Sequence, residues 1–280
     1  MRIFLTGGSG YIGTATIAAL LRDGHSVDAL ARNAAAASAV TTAGATPVPG
    51  GLDDLDVLRA AAGRADAVVH LAQADTADGD LAAAGAMLDG VGGGTYLHTG
   101  GTWVYGDTHG VADETAPWNP PPIVAWRQAV ETEILGRGGV VVRPGLVYGG
   151  PNRLIDHFFT RPGRAQGAVP FIGDGANHWA LVHVEDIASL YAAALKAAPA
   201  SVYAGVGGVD PTAREVASAV SHGAGLGGRV SSITLDEARE QMGPIADAFA
   251  LDQQFTPARA TKDLGWSPAY RDPLAVLANS

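Results

Sequence analysis

The sequence predicts an α/β fold, a doubly wound parallel sheet carrying a small C-terminal lobe. Three observations support this. The chain opens on an apolar run, Ile3 to Leu5, followed by glycines at 7, 10 and 13 and a helix-forming stretch from Thr14 to Leu21. Further apolar runs at Ser26–Leu30, Thr46–Val48, Ala65–Leu71, Thr95–Thr99 and Gly138–Arg143 alternate with helical stretches, the pattern of a parallel sheet. At 280 residues, 47% hydrophobic and 16% charged, the chain can bury a sizeable core. A strand turning sharply into a helix aims backbone N–H groups at one point, a ready site for a pyrophosphate. The fold predicted is therefore Rossmann-type, with a dinucleotide-binding core over residues 1–150 and a lobe built mainly from 151–280, some segments of which return to the core.

In that first turn the glycines have separate jobs. Gly7 permits the turn, Gly10 lets a phosphate approach the backbone, and Gly13 lets helix and strand pack closely. The string Thr6-Gly-Gly-Ser-Gly-Tyr-Ile-Gly13 resembles the extended short-chain dehydrogenases/reductases, and more narrowly their NAD-dependent epimerase/dehydratase branch. The likeness returns at Val68-Val-His-Leu-Ala72, Val104-Tyr-Gly106, Val142-Arg-Pro-Gly-Leu-Val-Tyr-Gly149, His183-Val-Glu-Asp186 and Leu264-Gly-Trp-Ser-Pro268. It covers nearly the whole chain, in the family's order. The resemblance assigns Thr6, Gly7, Gly10, Tyr11, Ile12 and Gly13 to cofactor binding and makes the C-terminal lobe a substrate lobe.

The end of the second strand chooses the cofactor. An acid there bonds the ribose hydroxyls of NAD, whereas an Arg accommodates the 2′-phosphate of NADP. The alignment puts Ala31 at the acidic position with Arg32 beside it, which favours NADP; the rival reading gives the ribose to Asp28, which falls mid-strand. After the third strand, Gly51 stands where relatives usually carry the Asp that holds the adenine. Leu52 follows among the cofactor residues, and Asp53 or Asp54 lies near a helix N-cap. Leu71 and Ala72, Thr99, and then Pro144 to Val147 complete the cofactor cradle by resemblance. His70 reads as a packed strand residue.

The catalytic residues depart from the family pattern. Relatives carry Tyr-x-x-x-Lys on the helix after the Pro120–Pro122 run, here expected from about Ile123 to Gly136, with a Glu four residues after the Lys. With Glu131 as that Glu, Ile123 replaces Tyr and Arg127 replaces Lys; with Glu133, the positions fall on Ala125 and Ala129. Neither register yields a tyrosine, and an Arg cannot exchange a proton near neutral pH. Matching on Val104-Tyr-Gly106 puts Gly101 where relatives have a Ser or Thr. The candidate catalytic groups are therefore Thr102 as nearest hydroxyl, Tyr105 as nearby phenol and Arg127 as fixed cation, with Trp103 as a pocket wall.

The remaining features exclude more than they assign. A formal net charge of −10 argues against nucleic acid or an anionic membrane as partner. The absence of cysteine rules out disulfides and thiolate chemistry and fits a cytoplasmic protein. The first strand begins at residue 2 and no long apolar run occurs, so neither a signal peptide nor a membrane span is expected. Asn177 to His183 reads as a strand; its His178 and His183 have no carboxylate at ligand spacing, so no metal site is expected, and no nucleophile elbow occurs. The composite expectation is an NADP-dependent oxidoreductase, a reductase of a small carbonyl or imine, with a homodimer left open. The alternatives are a non-catalytic, redox-responsive NADP-binding protein and an isomerase or lyase on the same fold.

Overall fold

The computed structural model describes residues 1–151 and 153–280, with Arg153 described by its backbone alone. Seven parallel strands form the central sheet: β1 (Arg2–Thr6), β2 (Ser26–Ala31), β3 (Thr46–Pro49), β4 (Ala67–His70), β5 (Thr95–Thr99), β6 (Val140–Pro144) and β7 (Val202–Gly205). Their order is β7-β6-β5-β4-β1-β2-β3, so the winding reverses between β4 and β1. Ligands of such sheets sit beyond the strand C-termini at that reversal.

Alternation along β1 shows why the strand is buried on both faces. Ile3 and Leu5 join a cluster containing Ile17 and Leu20 of α1 (Tyr11–Arg22), with Ile187 and Leu190 from a later helix. Phe4 points the other way, into a cluster with Leu58, Val68, Met87 and Val141. The first face is covered by α1, by α2 (Ala34–Thr42) and by that later helix, and the second by α3 (Leu55–Ala62), α4 (Ala77–Val91) and α5 (Arg127–Gly136). The helix that packs on α1 is α6 (Val184–Ala194), which leads into β7. A separate aromatic cluster, built on Tyr148, Phe159, Trp179 and Phe249, lies among segments after residue 145. No helix among the described residues is long and apolar enough to cross a membrane.

Two expectations about elements shift. The helix expected from Ile123 starts as a single 3₁₀ turn at Pro122–Val124 and becomes α-helical at Arg127, because the preceding prolines cannot donate backbone hydrogen bonds. The strand expected over 177–183 is confined to Leu181–His183, which pairs with Leu146–Tyr148. Asn177 instead spends its side-chain N–H groups on the carbonyls of Phe249 and Leu251.

Candidate active site

The glycine turn is built by close approach. Gly7 has φ +76°, and a Cβ there would lie 2.8 Å from the amide N of Ala72. A Cβ on Gly13 would lie 2.0 Å from the carbonyl oxygen of Gly7, so α1 can dock on the turn only without a side chain at this position. Helix α1 starts with no side-chain cap and no acid in its first turn, which leaves its N–H groups and positive dipole end for an anion. Thr6 lies beneath the turn. Its hydroxyl accepts from the Ala72 N–H at 3.3 Å and is 2.6 Å from His70 Nδ1, so it ties β1 to β4 and lies off the groove surface.

From this turn a groove of about 1000 Å³ runs across the sheet edge, lined by Gly7, Gly10, Arg32, Leu52, Leu71 and Ala72 among others. Asp28 is not among the lining residues; its carboxylate pairs with Arg2 at 2.6 Å. Gly51 sits at the far end, where its N–H donates to Asp54 at 2.7 Å and a Cβ would lie 2.4 Å from an Asp53 carboxylate oxygen. Asp54 is the N-cap of α3 but spends its carboxylate on Gly51 rather than on the helix. The open helix N-terminus, the glycine cradle and the cation at the rim fit a dinucleotide.

The groove meets a second pocket of about 540 Å³ at Gln73, which lines both. Here the structure brings together Tyr11, Ile12, Thr99, Pro144 and Val147 with Thr102, Trp103, Ile123 and Arg127. Arg127 is fixed: Nη1 donates to the Thr99 carbonyl at 3.1 Å and Nη2 to Gln73 Oε1 at 2.7 Å. Burial pulls its pKa down, while the carboxylates of Glu131 and Asp80 pull it back up. Of the two glutamates that could mark the helix register, Glu131 accepts from Arg143 at 2.8 Å inside the core while Glu133 is exposed. Ile123 and Arg127, the pair that the Glu131 register gives, line the pocket, while Ala125 and Ala129 are exposed and off it.

Two of the expected catalytic groups are otherwise engaged. Tyr105 does not line the pocket: its ring packs on Trp118 and Phe255, and its hydroxyl accepts from Arg143 and donates to the Glu114 carbonyl. A catalytic Tyr105 is corrected on that ground. Thr102 does line the pocket but is buried, and its hydroxyl donates to Gln253 Oε1 at 3.2 Å, so a proton-donating or polarising role finds its hydroxyl already committed. Tyr11 also reaches the pocket, with its hydroxyl given to the Gly149 carbonyl.

A cluster that sequence reasoning missed lies underneath. His70, Asp80 and His98 offer ligand-type atoms within 4.8 Å of one another, all buried. His70 Nε2 has no hydrogen-bond partner and lies 3.9 Å from Asp80. Burial and then Arg127 lower His70 to about 4, and burial raises Asp80. His70 and His98 are register partners on neighbouring strands, but Asp80 reaches them from α4, which no local spacing reveals.

The profile of the NAD dependent epimerase/dehydratase family matches residues 3–204. The chain belongs to this family. Its members are nicotinamide-dependent enzymes, and the sheet, the glycine turn and the groove described above are this family's scaffold. A Schizosaccharomyces pombe protein described as uncharacterized is 29% identical over 296 residues, spanning 100% of this chain and 99% of its own. A 4-hydroxy-2-methyl-3-oxo-4-farnesyl-3,4-dihydroquinoline-1-oxide ketoreductase from Stigmatella aurantiaca is 42% identical over 72 residues, 26% of this chain and 22% of that one. Among solved structures, the UDP-glucose 4-epimerase of Thermus thermophilus in complex with NAD superposes with a TM-score of 0.80 at 22% identity, covering 100% of this chain and 98% of that one.

Proposed function

We propose that the protein is an NADP-dependent reductase of a small, largely apolar carbonyl or imine. In this reading residues 1–150 bind the cofactor and the segments after 150 supply most of the substrate lobe. The single observation that carries it is Arg127, a cation fixed on Gln73 and Thr99 at the seam where the dinucleotide groove opens into an apolar pocket.

Bound reduced nicotinamide supplies the hydride. The protein's own residues do the rest. Gly7, Gly10 and the first turn of α1 hold the pyrophosphate, and Arg32 receives the 2′-phosphate at the rim. Pro144 and Val147 wall the nicotinamide end, and Arg127 faces the ribose and the substrate oxygen. Ile12, Ile123 and Trp103 put apolar faces beside Arg127, which lowers the local dielectric and strengthens its field there.

A second reading, binding without turnover, draws on Ile123 at the position where relatives have their acid. Two measurements separate them. Tryptophan fluorescence titrations give affinities for NADPH and NADH, and absorbance at the dihydronicotinamide band follows oxidation with a panel of carbonyls. NADPH binding with acceptor-dependent oxidation supports the reductase. Binding with no oxidation supports the second reading, and binding of neither cofactor contradicts both.

A further inference from the structure

The pocket differs from an ordinary carbonyl reductase site in one chemical respect. Among the described residues lining it, no hydroxyl is free to donate toward a substrate oxygen: Ile123 and Gly101 carry none, Thr99 donates to the His70 carbonyl, Thr102 donates to Gln253, and Tyr11 donates to the Gly149 carbonyl. A fixed cation faces the same space. A Cβ on Gly101 would meet nothing closer than 4.0 Å, so this wall is open at the position where relatives place a hydroxyl.

Hydride addition to a simple ketone makes an alkoxide, a strong base that needs a proton in the transition state. General acid catalysis there is typically worth 10²–10⁴-fold. Hydride addition to the β-carbon of an α,β-unsaturated carbonyl makes an enolate, whose oxygen is a weaker base than an alkoxide oxygen because its charge is spread over oxygen and carbon, and which is protonated at carbon in a later step. A preorganised cation in an apolar pocket stabilises such an anion without proton transfer in the same step. Guanidinium suits this task because it is always charged and presents planar donors.

We infer that the reaction at this site is conjugate reduction of an α,β-unsaturated carbonyl, with Arg127 as the enolate-stabilising group. The inference rests on the reductase reading and names its substrate class. Reduced nicotinamide, when bound, would supply one hydride to the β-carbon, where a C–H bond forms. The C=C π pair shifts to make the enolate, whose oxygen is held by Arg127. Water then protonates the α-carbon, leaving a saturated ketone, oxidised nicotinamide and hydroxide. The donors of Arg127 not spent on Gln73 and Thr99 are those available to the oxygen. Ile123 and Trp103 offer apolar faces to a flat conjugated system.

The test compares 2-cyclohexenone with cyclohexanone on the full chain with NADPH, and adds a binding measurement that needs no turnover. 4-Nitrophenolate is the probe, an oxyanion of delocalised charge whose absorbance reports its ionisation. The ionised form should bind at least about tenfold more tightly than 4-nitrophenol. Arg127→Met should remove that preference and Arg127→Lys keep part of it, with NADPH affinity and the unfolding midpoint checked in both variants. Cyclohexenone should be converted to cyclohexanone, with turnover about 100-fold or more above that of cyclohexanone itself. Formation of the allylic alcohol, or equal reduction of both ketones, would overturn the conjugate-reduction proposal while leaving a reductase. Absence of oxidation with either ketone, with NADPH bound, would overturn the reductase reading too. Equal binding of the probe's two forms would remove Arg127 from the role given to it.

Discussion

Arg127 donates from Nη2 to Oε1 of Gln73 at 2.7 Å, across the line where the dinucleotide groove becomes the substrate pocket. One residue from the helix after the proline run and one from the loop after β4 thus meet where the groove and the second pocket join. The proposed site is organised around that contact, with Ile123 one helical turn before the cation.

The glycine turn gives an ordered pair of effects. A Cβ at residue 13 would be 2.0 Å from the Gly7 carbonyl oxygen, whereas one at residue 10 would be 3.1 Å from the same atom. Gly13→Ala should therefore lower stability by about 1–3 kcal/mol, as overpacking does, and weaken NADPH binding about tenfold or more, with Gly10→Ala the milder of the two. Urea unfolding and fluorescence titration of both variants check this; a fully native Gly13→Ala would mean that α1 does not dock as described.

The proposed function gives cofactor choice to Arg32, which lines the groove just past β2. Arg32→Ala should weaken NADPH by roughly 1–3 kcal/mol, the scale of a charge-assisted hydrogen bond, and leave NADH nearly unchanged. Parallel titrations with the two cofactors decide it. Wild-type affinities that do not differ would argue that Arg32 is an ordinary surface charge.

Acid sensitivity should trace to the buried histidines. His70 is held down to about 4 by burial and by Arg127, and His98 is lowered by burial, His70 and Arg127. Both stay neutral in the folded protein while the unfolded chain takes up protons near pH 6.5. This contribution is whole above about pH 6.5 and is lost as pH falls toward 4, with a slope approaching about 1.4 kcal/mol per pH unit for each histidine. Asp80, raised by burial, acts in the opposite sense at the acid end. Urea midpoints at pH 7, 6 and 5 should fall steadily in the wild type and less steeply in His70→Gln. Identical slopes would show that His70 does not titrate on unfolding.

What the sequence made legible was local. β1, its glycines and α1 follow from a dozen consecutive residues, and the strand alternation from short apolar runs; the seven-stranded order then follows the family's connectivity. What it left open depended on distant partners. Two glutamates could anchor α5, and nothing local tells that Glu131 is the one buried, against Arg143 from a later strand. Thr102 read as a free hydroxyl because its acceptor, Gln253, is 151 residues away. Tyr105 read as a nearby phenol, but the chain carries it to Arg143 and Glu114 instead.

The most direct test of the account is to follow the hydrogen itself. With NADPH deuterated at each face of C4 in turn, an accepted unsaturated carbonyl should acquire deuterium at carbon from one face and none from the other. Arg127→Met should slow the transfer without changing the face. Oxidation of NADPH with no deuterium on product carbon, or label delivered equally from both faces, would contradict hydride transfer in a pocket held by Arg127 and Ile123.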